Sequence, residues 1–76
     1  MISYAPLWET MKRKKATTYT LRNKGKPYNV DSSTVRRLKA GLSVSTNTLD
    51  AICTILDCDI LDVIKFIPNE KQKEDL

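Results

Sequence analysis

The chain has 76 residues, 41% of them hydrophobic and 29% charged, and a net charge of +4. That length supports one small domain with a thin stability margin and leaves no room for a large substrate cavity, while the composition lies well away from that of disordered chains. No apolar run approaches the roughly 20 residues needed to span a bilayer, and the Met1 start lacks the basic-then-apolar pattern of a secretory leader, so no membrane contact and a cytoplasmic location are expected.

The first periodic segment covers residues 5–14, with Tyr4, Leu7, Trp8 and Met11 at i, i+3, i+4 and i+7. Ser3 or Tyr4 precedes it, and Pro6 falls in the first turn, where a missing N–H costs nothing. Thr17 is placed to cap a short second helix from Thr18 to about Lys24, with Leu21 inward and Tyr19 half-buried. Glycine, proline and asparagine within residues 25–29 then force a turn, and Val30 reads as a plug packing that turn onto the core. Asp31 or Ser32 can cap a third helix that runs to a Gly41 stop, with Val35 and Leu38 facing inward. Ser45 starts a fourth helix whose Leu49, Ile52, Cys53 and Leu56 form one stripe. Asp59 starts a fifth, through Ile60, Val63, Ile64 and Ile67, ending at Pro68. Residues 69–76 read as a charged, flexible tail beyond a domain of residues 1–68. There is no alternating strand pattern of useful length, no repeat and no glycine-rich phosphate loop. The expected fold class is all-α, five short helices.

Histidine is absent, and Cys53 and Cys58 are the only cysteines, too few for a zinc site and too widely spaced for a C-x-x-C pair. They read as reduced, small apolar groups, and no metal or other cofactor is implied. Without histidine, and with no activating partner evident for a serine or cysteine, catalysis has little support. An acid/base or metal site at Asp57, Asp59 and Asp62 is the remaining enzymatic reading, and capping accounts for those aspartates more simply.

Charge is divided unevenly along the chain. Residues 12–39 hold ten basic side chains against Asp31 alone, a net +9, whereas residues 40–76 hold three basic and seven acidic ones, a net −4. A strongly basic half raises the local concentration of a polyanion and steers its approach. The third predicted helix concentrates the signal, since its outer face carries hydroxyls at the N-terminal end and Arg36, Arg37 and Lys39 further on, with no acid after Asp31. A short helix, a turn and a second helix with a polar, basic outer face suit the major groove of B-DNA, which admits one helix and exposes base edges to it.

On Thr17-Thr18-Tyr19-Thr20-Leu21, on Asp31-Ser32-Ser33-Thr34-Val35-Arg36-Arg37-Leu38 and on the segment from Ser45 to Cys58, the chain resembles the Cro/phage-repressor type of helix-turn-helix regulators, also called the xenobiotic-response-element family, as far as about Pro68. The resemblance implies a lambda-repressor-like DNA-binding domain that acts in transcription, repressor-like, as a homodimer reading two half-sites about one helical turn apart. It implies that Ser32, Ser33 and Arg37 face base edges. Thr34, Arg36 and Lys39 would lie nearer the backbone, and Thr18, Ser45, Thr46 and Asn47 stand where family members hold phosphates. Helix N-termini bind anions through free N–H groups, a mechanism that does not depend on the resemblance. Two features depart from the motif: the turn at residues 25–29 exceeds the usual three to four or so residues, and Arg22 stands where the family tends to place a small or apolar side chain. The longer turn can place Lys24 and Lys26 against the backbone as an extra clamp. The alternative reading is a protein-interaction module on the same fold, an antitoxin-like or adaptor domain whose basic face meets an acidic partner.

Overall fold

The computed structural model describes residues 1–28 and 30–68. Among the described residues there are four α-helices, α1 (Ala5–Arg13), α2 (Thr18–Lys24), α3 (Ser32–Ala40) and α4 (Thr46–Leu56). Capping explains where they begin. Thr17 and Thr20 form a reciprocal capping box at α2, the Asp31 carboxylate accepts the Thr34 N–H at 2.9 Å, and Ser45 Oγ accepts the Thr48 N–H at 3.2 Å. Three helices end alike, with a left-handed residue followed by a bond back across the last turn: Ala16 to Met11 after Lys15, Leu42 to Arg37 after Gly41, and Cys58 to Cys53 after Asp57.

The helices bury one face each. Leu7, Met11, Leu21, Leu38, Ile52, Leu56 and Val63 meet in a single core with Tyr4. Two polar side chains pin its edges, Tyr4 Oη donating to the Leu42 carbonyl at 2.9 Å and the buried Thr10 hydroxyl donating to the Asp62 carbonyl at 2.7 Å. The expected turn contains a 3₁₀ turn at Lys26–Tyr28, with Val30 buried behind it as the plug. Tyr19, expected half-buried, is 66% exposed, because α2 turns only Leu21 fully into the core.

The fifth helix is corrected. Asp59 does cap a turn, but it is a single 3₁₀ turn at Ile60–Asp62, after which the chain extends into β2 (Lys65–Phe66). This strand pairs antiparallel with β1 (Ile2–Ser3), Ile2 opposite Phe66 and Ser3 opposite Lys65. The N-terminal segment has backbone donors and acceptors that need partners, and Lys65 to Ile67 supply them; Ile67 N–H donates to the Met1 carbonyl at 2.8 Å. The observed class is therefore mostly helical, with four α-helices and a two-stranded ribbon among the described residues. The expected tail at residues 69–76, like Asn29, lies outside the described residues. Among the described residues no helix is long and apolar enough to cross a membrane.

Candidate nucleic-acid interface

The surface of α3 follows from two buried residues. Val35 is 5% exposed and Leu38 1%, so with about 100° between successive residues Ser33, Arg36, Arg37 and Ala40 fall on the opposite side. Ser32, Ser33, Arg36, Arg37 and Lys39 are exposed and Thr34 is half-buried. Asp31 is spent on the cap, and its acceptance of the Thr34 N–H holds its carboxyl below the usual carboxylate range.

Beside this face, α2 and α3 enclose a hollow of about 280 Å³ lined by Thr18, Arg22, Ser32, Val35, Arg36 and Lys39. Four of the residues expected at the site, Thr18, Ser32, Arg36 and Lys39, are thus brought together. Arg22 joins them without having been among the expected site residues. It lies four residues after Thr18, on the same face of α2, and that spacing was the available signal. A second hollow continues past Arg22 to Lys26, Val30, Asp31 and Ser32. Lys24 is elsewhere, lining a groove with Lys14, Lys15, Ala16, Thr20, Ile55 and Leu56. Lys24 and Lys26, on either side of Gly25, thus border different hollows.

Arg37 takes a direction that helical periodicity does not specify. Its Nε and Nη2 both donate to the Ser43 carbonyl, at 3.0 and 2.9 Å, tying the end of α3 to the segment leading into α4. At the start of α4, Ser45, Thr46 and Asn47 are exposed, and the N–H groups of Thr46 and Asn47 belong to the first turn, where no intrahelical acceptor exists. An anion set there meets free donors and the positive end of an 11-residue helix.

The carboxylates are occupied differently. Asp59 and Asp62 cap the 3₁₀ turn reciprocally, Asp62 lies 3.9 Å from Arg13, and Asp57 occupies the left-handed position after α4. Among the described residues no group of three or more Cys, Asp or Glu is disposed to hold a metal ion. Burial pushes both thiols, Cys53 and Cys58, above the ordinary cysteine range, which suits apolar packing rather than nucleophilic attack.

The model of the Cro/C1-type helix-turn-helix DNA-binding domain matches residues 6–69. The chain belongs to that family. A crystal structure of the transcriptional regulator VanUg is similar at a TM-score of 0.76 and 32% identity, over 90% of this chain and 87% of that one. No curated protein matches the chain. The match spans α1 to α4, and the basic hollow lies between α2 and α3.

Proposed function

We propose that the protein is a sequence-specific transcriptional regulator, repressor-like, that lays α3 in the major groove of double-stranded DNA. The observation that carries this is the outer surface of α3, where two serines and three cations stand exposed with the one neighbouring acid consumed as a cap. Ser32, Ser33 and Arg37 are the base-facing set in this reading, an arginine fork on guanine supplying on the order of 1–3 kcal/mol of discrimination. Arg37 then exchanges the Ser43 carbonyl for a base edge. Thr18, Thr34, Arg36, Lys39, Ser45, Thr46 and Asn47 hold the flanking phosphates, the α4 residues through its N-terminal amides.

The working unit in this reading is a cytoplasmic module of residues 1–68 that pairs with a second copy. Exposed Leu61, Phe66 and Ile67 supply apolar surface for pairing. Selection of bound duplexes from a random library tests the proposal, with a two-fold symmetric preferred site expected. Affinity for that site should fall linearly with salt in a log–log plot. A salt-independent affinity, or no enriched sequence, would instead favour the adaptor reading, in which the basic face meets an acidic protein.

A further inference from the structure

Arg22 has no part in the assignment above, yet it occupies the middle of the basic seam. Its exposed side chain borders both hollows, facing Ser32, Arg36 and Lys39 in one and Lys26 in the other. No carboxylate lines the first hollow, and Asp31, which borders the second, is committed to the Thr34 amide. The one ion pair among the described residues joins Arg13 to Asp62, so no described carboxylate pairs with Arg22 or Arg36. Three cations around a shared hollow of about 280 Å³ repel one another, and an anion between them reverses the sign of that interaction. The tight turn at Gly25 keeps Lys26 close to this arrangement. Gly25 is buried, and a Cβ built on it would lie 2.5 Å from Val30 Cβ, so the chain folds closely over the end of α2 before Lys26 emerges.

We propose that Arg22 is a DNA-contact residue that, with Arg36, clamps one backbone phosphate of the duplex in the seam between α2 and α3, an inference that rests on the DNA-binding reading. Phosphate is the fitting chemistry because a guanidinium fork matches two phosphate oxygens and no described carboxylate pairs with the cations of the seam. The large basic side chain at a position the motif tends to keep small then widens the footprint, adding a second contact from α2 to that of Thr18 and to those from α3 and α4.

The test compares the wild-type chain with Arg22→Gln and Arg22→Lys on the selected duplex, on single-base variants of it and on a random duplex, across a series of salt concentrations. Equal thermal unfolding of the three proteins establishes that the fold is retained, and glutamine keeps most of the stem. Expected for Arg22→Gln is a loss of about tenfold on every duplex alike, with the log–log salt slope reduced by about 0.9, the contribution of one phosphate. Arg22→Lys should keep the slope while losing part of the affinity. Wild-type affinity and slope in Arg22→Gln would overturn the proposal, as would a loss confined to one base position, which makes Arg22 a base reader. Failure of the wild-type chain itself to bind any duplex overturns the DNA-binding reading and this inference with it, and is told apart because no variant is needed to see it.

Discussion

Gly25 and Asp57 show opposite reasons for a residue choice. Gly25 has an ordinary right-handed backbone, φ −85°, and its constraint is space: a methyl group there collides with Val30 and the Leu21 carbonyl. Gly25→Ala is expected to destabilise by about 1–3 kcal/mol, measured by denaturant unfolding. Asp57 has space but an unfavourable backbone, φ 51°, in a position where glycine is the usual residue. Asp57→Gly is expected to raise stability by about 1 kcal/mol, seen as a higher unfolding midpoint. Arg36 and Arg37 were equally outward by periodicity, and the Ser43 carbonyl distinguishes them. Arg37→Ala should relax base preference at one position, whereas Lys39→Ala should weaken all duplexes similarly; duplex selection with each variant checks the split, and identical profiles would remove the assigned roles. Arg22 was legible as a departure from the motif and, by its spacing, as a neighbour of Thr18 on α2, but its meeting with Arg36 and Lys39 was not, because that depends on how α3 packs.

The helix starts were the most legible elements, since a hydroxyl or carboxylate before an apolar stripe satisfies amides that have no other acceptor. Thr17, Asp31 and Ser45 all serve as read. At Asp31 the cap depends on charge. Its folded-state carboxyl titrates below the usual range, so its contribution is complete above the ordinary carboxylate pKa and is lost as pH falls through the lowered value. Asp31→Asn should flatten that part of an acid unfolding profile, measured by circular dichroism against pH. Ser45→Ala is expected to cost about 1 kcal/mol of stability and, if the amides of α4 hold a phosphate, to weaken all duplexes alike. The fifth element failed as a helix because its periodicity is compatible with more than one backbone. Ile60, Val63, Ile64 and Ile67 repeat at helical spacing, but β-branched residues accept extended structure readily, and pairing with Ile2–Ser3 settled the choice.

Across the whole molecule, the N-terminal segment and the segment after the 3₁₀ turn hold one another in place. Two hydrogen bonds between Met1 and Ile67 and the register of Ile2 with Phe66 close the chain on itself. Removing residues 1–3 should lower the unfolding temperature and deprotect the amides of Lys65 to Ile67 in hydrogen exchange, while the amides of α3 and α4 stay protected. The unequal division of charge along the chain, the helical stripes and the caps were fixed by local chemistry, since each depends on residues a few positions apart. That is why the motif pair and its basic face could be read without a structure. The ribbon, the Arg37 tether and the gathering of Arg22, Arg36 and Lys39 around one hollow depend on partners far along the chain or on a second helix, and their positions are set only when the core brings those elements together.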